Sequence, residues 1–183
     1  LIIGSVIVTT TMAPSDRFAH CRTSRIAGTV DGTFTLMNVE GETVSETDVI
    51  TKPSLIYFGY TFCPDVCPLD VARNAEAVDI LKEQGYELQP VFISIDPERD
   101  TPEIVGDFAS NMHPDMIGLT GTPQQVKAAS QAFKTFYQKQ DGDPDYYLVN
   151  HSTSSYLVYP EDGFIQFFDR SLRSDQIAEQ LKC

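Results

Sequence analysis

The sequence has no tryptophan, only three histidines and few basic side chains. Lys and Arg total 13 against 26 Asp and Glu, so the formal net charge is −13. Nucleic-acid binding normally requires a basic face, and adhesion to anionic lipid requires a basic cluster, so we expect neither activity. A negative field suits cations or a basic partner, although it is also compatible with an acidic surface that has no such role.

No apolar run approaches the roughly 20 residues that a membrane-spanning helix needs. The N-terminal segment LIIGSVIV, residues 1–8, is too short, and the chain begins without Met. We interpret residues 1–20 as the remnant of a membrane anchor or signal segment followed by a polar tether. The alternative is a buried first strand, in keeping with its β-branched residues. Residues 21–183 are predicted to form one domain, and we expect a monomer.

Cysteine is also scarce, and its four positions divide into two pairs. Cys21 and Cys183 lie near the ends of the chain, and in an oxidising compartment they could form a disulfide that closes the domain. The alternative for this pair is two free thiols. Cys63 and Cys67 lie close together, which suggests a different role for them.

Apolar runs predict two buried strands at 53–59 and 91–95 and a later hairpin at 155–159 and 164–168. Helices are predicted from 68 to about 84, over 102–110, from 122 to about 137, and from a cap at Ser174 to near Lys182. The first helix has a candidate apolar stripe, formed by Leu69, Ala72, Ala75, Val78 and Leu81.

Parallel strands with crossover helices, followed by an antiparallel hairpin, describe a mixed α/β sandwich. This is the element order of the thioredoxin fold. An N-terminal hairpin (34–37 and 42–45) precedes it, and a helix and strand (102–110 and 116–119) are inserted.

The motif Tyr60-Thr-Phe-Cys63-Pro-Asp-Val-Cys67-Pro68 lies between a buried strand and a helix start. Because both cysteines precede prolines, which disfavour helical angles at the residue before them, we expect an irregular loop over 63–67. A helix N-terminus lowers thiol pKa values, and the thiolate is the form that binds metals and attacks disulfides. The three-residue spacer is wider than the two of redox CxxC motifs and leaves more room for a metal.

A metal site would need a further ligand, and the histidines are His20, His113 and His151. His151 precedes the predicted hairpin, which should lie beside the central strands, so its loop can reach the cysteines. From the residues alone, His151 is either a ligand or a structural histidine.

Four segments in this order and spacing, FGYTFCPDVCP, FISIDPERDTP, GLTGTP and YLVNHS, resemble the Sco/SenC family. The resemblance covers roughly residues 34–182. It implies a membrane-tethered, thioredoxin-like copper protein that assists assembly of the dinuclear copper centre of cytochrome c oxidase. It also implies that Cys63, Cys67 and His151 are the metal ligands, for Cu(I) and also for Cu(II).

For a bacterial chain the resemblance implies a periplasmic location, tethered to the inner membrane through the N-terminal anchor only. The implied partners are the copper-bearing oxidase subunit and other copper chaperones. One position departs from the pattern, because Asn150 stands where many members have Asp. A role that depends on that carboxylate is therefore in doubt.

The rival function is an extracytoplasmic thiol–disulfide reductase acting on oxidase cysteines, with Cys63 attacking and Cys67 resolving. A peroxidase would need an arginine beside the thiol, and support for Arg73, Arg99 or Arg170 is thin. Three ligands disfavour a closed structural zinc site, which normally has four. The charged segment 96–100 follows a strand end, but a solvated turn is at least as good an interpretation, and we leave it outside the predicted site.

Overall fold

The structure is a computed structural model that describes residues 30–143 and 145–182. Residues 1–20, Cys21 and Cys183 lie outside the described residues. The predicted anchor, the domain boundary at residue 20 and the terminal disulfide therefore stay predictions.

The described residues form nine strands and five helices. In chain order they are β1 Thr35–Met37, β2 Thr43–Ser45, α1 Glu46–Val49, β3 Ser54–Gly59, α2 Val66–Glu83, β4 Gln89–Ser94, α3 Pro102–Met112, β5 Ile117–Leu119, α4 Pro123–Ala132, β6 Tyr137–Lys139, β7 Val149–His151, β8 Ser155–Tyr159, β9 Gly163–Phe168 and α5 Ser174–Leu181. Within residues 30–143 and 145–182, no helix is long and apolar enough to cross a membrane.

The main sheet has five strands in the order β5-β4-β3-β8-β9. β3, β4 and β5 are parallel, while β8 pairs antiparallel with β3 and with β9. The β1–β2 hairpin forms a separate small sheet. This arrangement confirms the predicted mixed α/β, thioredoxin-like sandwich, including the N-terminal hairpin and the inserted helix and strand.

Alternate side chains of the central strand, β3, point to opposite faces of the sheet. Both sets are mostly apolar, and helices cover both faces. On one side, Leu55 belongs to a cluster with apolar residues of α2 and α5. On the other, the ring of Phe58 lies 5.2 Å from Phe133, at the end of α4, and 5.9 Å from Tyr156 of β8. The site described next lies at the carboxyl end of β3, on the side of α2.

Two helix starts follow the expected chemistry. Thr101 accepts a hydrogen bond from the N–H of Ile104 ahead of Pro102, and Thr122 forms a capping box with Gln125 ahead of Pro123. The predicted cap at Ser174 is wrong, since Arg173 is the N-cap and Ser174 is the first helical residue.

The start of α2 was predicted incorrectly. The helix begins at Val66, so Cys67 lies in its first turn and not in an irregular loop. Pro68 is compatible with this position because the first N–H groups of a helix have no partner within it. The predicted apolar stripe is also partly wrong, because Leu69 is 61% exposed and Ala72 is exposed, whereas Asp70 and Asn74 are buried.

The end of α4 was also predicted incorrectly. The helix ends at Ala132, and 137–139 form strand β6, which pairs with β7 in a two-stranded sheet that was not predicted. His151 is therefore the last residue of a strand, not part of a loop.

Candidate metal centre

The three predicted site residues come together although they belong to three different segments. Cys63 lies in the loop between β3 and α2, Cys67 in the first turn of α2, and His151 at the end of β7. One ligand atom from each lies within 4.8 Å of the other two. Both thiols are buried, with Cys63 8% exposed and Cys67 fully enclosed. Their role as metal ligands stays a prediction.

The imidazole of His151 presents its Nε2 atom to the thiols. Its Nδ1 lies 2.7 Å from the carbonyl oxygen of Ser152. Because a carbonyl only accepts, Nδ1 must carry a ring proton, and in the neutral imidazole the lone pair then lies on Nε2. Nε2 lies 3.3 Å from Sγ of Cys67. A hydrogen bond that fixes the tautomer in this way is typical of histidines that ligate metals.

The two thiols have opposite ionisation preferences. A hydrogen bond from Cys67, together with the backbone N–H groups of Asp65 and Cys67, holds the pKa of Cys63 well below its usual value. The N–H of Cys67, 3.3 Å from Sγ of Cys63, is one of these donors. The same interaction with Cys63, together with burial, raises the pKa of Cys67. The two pKa shifts therefore favour Cys63, rather than Cys67, as the thiolate.

Gly59, the last residue of β3, makes room for the buried thiol. A Cβ atom at this position would lie 2.9 Å from the Tyr57 ring, 3.0 Å from the Phe92 ring and 3.1 Å from Sγ of Cys67. A larger side chain would therefore have to displace the ring walls or the sulfur. The sequence predicts Gly59 only as the last residue of the strand over 53–59.

Two tyrosines form walls around the imidazole. The rings of Tyr57 and Tyr60 lie 6.2 and 5.8 Å from the His151 ring, both nearly perpendicular to it, which is a favourable aromatic geometry. Burial raises the pKa of Tyr60 to about 12, so its hydroxyl stays protonated at neutral pH. Neither tyrosine was predicted as a site residue.

The β6–β7 hairpin is held in place by the segment after β4. Tyr147 donates a hydrogen bond of 2.6 Å to Asp96, which also accepts one from Arg99 at 2.6 Å. The Arg99 guanidinium lies 3.6 Å from the centre of the Tyr147 ring and 4.9 Å from that of Phe62, beside Cys63. These contacts connect the hairpin that carries His151 with the cysteine loop.

The loop before Cys63 is anchored by Asp100. Its carboxylate accepts hydrogen bonds from the backbone N–H and the hydroxyl of Thr61 and from the hydroxyl of Ser94. Burial raises the pKa of Asp100 against the effect of these donors. Asp96 and Asp100 are both buried. The interpretation of 96–100 as a solvated turn is therefore wrong for Asp96 and Asp100, although Glu98 is exposed.

Asn150 faces away from the thiols. Alternation along β7 places it on the opposite side from Val149 and His151. It is exposed, and its side-chain oxygen accepts a hydrogen bond of 2.6 Å from Gln140. The position at which this chain departs from the family pattern therefore lies outside the ligand cluster.

Other polar candidates do not belong to the cluster. His113 lies at the end of α3, where it contacts Asp79 and the N–H of Asp115. Arg73 donates to the carbonyl oxygen of Arg170. The peroxidase interpretation therefore gains no support from the placement of Arg73.

Comparisons with known proteins agree with the motifs. A family model described as SCO1/SenC matches residues 22–183. Protein SenC of Rhodobacter capsulatus is 48% identical over 187 residues, which cover 100% of this chain and 84% of that protein. The crystal structure of Arabidopsis thaliana ScoI with copper bound has a TM-score of 0.80 and 37% identity, covering 84% of this chain and 96% of the other.

A more distant structure is that of BsSco, in which a disulfide switch was identified. BsSco is a member of the Sco family of cytochrome c oxidase assembly proteins. Its TM-score is 0.64 at 25% identity, and the match covers 83% of this chain and 91% of the other.

Proposed function

Because the chain belongs to the SCO1/SenC family, we propose that Cys63, Cys67 and His151 bind one copper ion, which the protein delivers during assembly of the dinuclear copper centre of cytochrome c oxidase. The observation that carries this proposal is the cluster of three ligand atoms within 4.8 Å of one another. Copper-bound relatives with the same fold support it.

The donor set suits Cu(I). Thiolates are soft ligands, and an imidazole with a free lone pair completes a three-coordinate site. Cu(II) is a second state that the same ligands can hold. Release to a partner would proceed by ligand exchange, and the ionisation of Cys63 makes its sulfur available to a metal at neutral pH.

The first test measures copper stoichiometry after anaerobic loading of the reduced protein with Cu(I). Wild type should hold one copper ion, and His151→Ala, Cys63→Ser and Cys67→Ser should each lose it on gel filtration. His113→Gln is the matched control, because His113 lies outside the cluster, and this variant should retain copper. Retention of copper by His151→Ala would remove His151 from the ligand set.

A second candidate function is thiol–disulfide exchange, and the unequal thiols favour it. The Cys63 thiolate would attack a partner disulfide, forming a mixed disulfide and releasing one partner thiolate. Cys67, after losing its proton to the first released thiolate or to water, would attack the Cys63 sulfur and release the second thiolate. The dithiol is thereby oxidised to a Cys63–Cys67 disulfide by two electrons, and the partner is reduced.

One pair of assays distinguishes the two functions. Reduction of a disulfide in an oxidase-derived copper-domain peptide should survive in His151→Ala, since the imidazole takes no part in the exchange. Copper transfer to the reduced peptide should not survive. If wild type binds no copper yet reduces the peptide, reductase activity replaces copper delivery as the function.

We extend the proposal to location and partners. The protein would act in the bacterial periplasm as a monomer tethered to the inner membrane, and would exchange copper with other copper chaperones and with the copper-bearing oxidase subunit. Cell fractionation of the full-length gene product tests this location, and recovery in the cytoplasmic fraction would contradict it.

A further inference from the structure

The face of α2 that lies against the sheet carries three polar residues in a row. Cys67, Asp70 and Asn74 follow one another at spacings of three and four residues, so they share one side of the helix. All three are buried. A buried carboxylate costs free energy unless it is hydrogen-bonded or paired, so the position of Asp70, one turn after a candidate ligand, requires an explanation.

The carboxylate of Asp70 is hydrogen-bonded to Tyr57. The Tyr57 hydroxyl donates to Oδ2 of Asp70 at 3.0 Å, and both residues are buried. The other oxygen, Oδ1, lies 3.7 Å from nitrogens of Arg73 and of Arg170. The two arginines therefore balance the charge from one side, while the hydrogen bond to Tyr57 is made on the other.

The neighbouring pair on the same elements has a different role. Asn74 donates to the hydroxyl of Ser155 at 2.7 Å, and Ser155 is opposite Tyr57 in the β3–β8 pairing. This bond joins α2 to β8 without contacting a ligand residue. The Asp70 bond instead ends on a ring that faces His151.

Tyr57 connects the carboxylate to the imidazole. Its ring is perpendicular to that of His151, with 6.2 Å between the centroids. Rotation about the Cα–Cβ bond of Tyr57 would swing its ring past the imidazole, and the hydrogen bond from its hydroxyl to Asp70 opposes that swing. The orientation of Nε2 toward Cys67 thus depends on the Ser152 carbonyl and on the rings of Tyr57 and Tyr60, and of these two rings it is Tyr57 that bonds to Asp70.

We propose that Asp70 is a positioning residue for the metal site: by holding the Tyr57 hydroxyl, it fixes the ring against which His151 is oriented. The inference rests on the proposed function only in its copper readout. Metal ligands often depend on partners of this kind, and loss of such a partner typically weakens binding by about 10- to 100-fold.

The experiment uses three single variants and one double variant. Tyr57→Phe keeps the ring and removes the donor, Asp70→Leu removes the acceptor, and Asp70→Asn keeps a carbonyl acceptor without the charge. The double variant combines Tyr57→Phe with Asp70→Leu. Tyr156→Phe is the matched control, since it removes another buried tyrosine hydroxyl in the core behind β3.

Two readouts are taken from each protein. In the metal-free protein, the ¹⁵N shifts of the His151 ring report its tautomer and orientation. In the loaded protein, the rate of copper dissociation to a chelator is measured. We expect Tyr57→Phe and Asp70→Leu each to shift the His151 resonances toward a tautomer mixture and to accelerate copper loss roughly tenfold. Asp70→Asn and Tyr156→Phe should stay close to wild type in both readouts.

The double variant tests whether Asp70 acts on His151 through Tyr57. If Asp70 works through Tyr57, the double variant should show no more than the effect of one substitution. Additive effects would overturn the proposal, as would unchanged His151 shifts in Tyr57→Phe, which should fold even where Asp70→Leu does not. A wild type that holds no copper would contradict the proposed function but leave the ¹⁵N test of positioning intact.

Discussion

The hydroxyl of Tyr60 accepts a hydrogen bond from the backbone N–H of Val149 at 3.3 Å. Tyr60 lies three residues before Cys63, and Val149 lies two residues before His151. This bond joins the loop that carries a thiol to the strand that carries the imidazole, at a position where both are buried. The Tyr60 hydroxyl is thus one of the contacts that set the separation between the proposed ligands, beside the contact between Tyr147 and Asp96.

Tyr60→Phe should loosen this connection without removing the ring that faces His151. The lost bond leaves the Val149 N–H without its partner, so we expect the free energy of unfolding to fall by about 1 kcal/mol. Amide exchange at Val149 should accelerate, while exchange at Val91, inside the main sheet, should not. Unchanged exchange at Val149 would show that the hairpin is held by other contacts, such as that between Tyr147 and Asp96.

Gly59→Ala should damage both the fold and the site. The added methyl group would lie 2.9–3.1 Å from two aromatic rings and the Cys67 sulfur, closer than van der Waals contact. Overpacking of this kind costs about 1–3 kcal/mol. We expect a lower midpoint in urea and loss of copper retention. Gly142→Ala is the control, because its Cβ would meet nothing closer than 4.0 Å. Copper retention by Gly59→Ala would mean that the sulfur can shift without cost.

The lowered pKa of Cys63 predicts an unusual pH profile of alkylation. A free cysteine, with a pKa of about 8.5, reacts roughly tenfold more slowly for each pH unit below that value. Cys63 stays ionised well below its usual pKa and loses its thiolate only when the pH falls through the lowered value. Its alkylation rate, followed by peptide mass spectrometry, should therefore be nearly flat between pH 6 and 8.

The urea-unfolded protein provides the reference for this measurement. There the hydrogen bonds to Cys63 are absent, and the ordinary steep dependence on pH should return. Cys67, whose pKa is raised, should react more slowly than Cys63 throughout the folded series. A steep profile for Cys63 in the folded protein would contradict the assignment of the thiolate.

Asn150→Asp should have little effect on metal binding. The side chain is exposed and points away from the ligands, and an aspartate could still accept the hydrogen bond from Gln140. We expect copper dissociation within twofold of wild type and a change in unfolding free energy within about 0.5 kcal/mol. A tenfold change in dissociation would show that charge at this position acts on the site through space.

The two cysteines could be predicted because their setting is local in the sequence. A buried strand, a glycine, two prolines and a helix start all lie within a few residues of Cys63 and Cys67. The main sheet could be predicted equally well, since its central strands are continuous apolar runs. The position of His151 was harder to predict, because the hairpin that carries it has strands of three residues, and β6 is largely exposed and polar. That segment resembled the end of α4 more than a strand.

The supporting residues were missed for a different reason. Asp70 and Asn74 face the sheet, and their hydrogen-bond partners, Tyr57 and Ser155, lie 13 and 81 residues away in the chain. An apolar pattern places such side chains in solvent and moves the predicted buried face toward Leu69. The same holds for Asp96, whose partner Tyr147 is 51 residues distant. Only the folded chain shows that these buried polar groups have hydrogen-bond partners.

Cys67 and His151, whose candidate ligand atoms lie within 4.8 Å of each other, are 84 residues apart in the sequence. During synthesis, both thiols leave the ribosome long before the imidazole exists. A nascent or truncated chain therefore presents a bare dithiol, open to oxidants and to competing ions, until β7 pairs with β6. A chain that stops before His151 therefore lacks the third of the proposed ligands, however well its cysteine loop is formed.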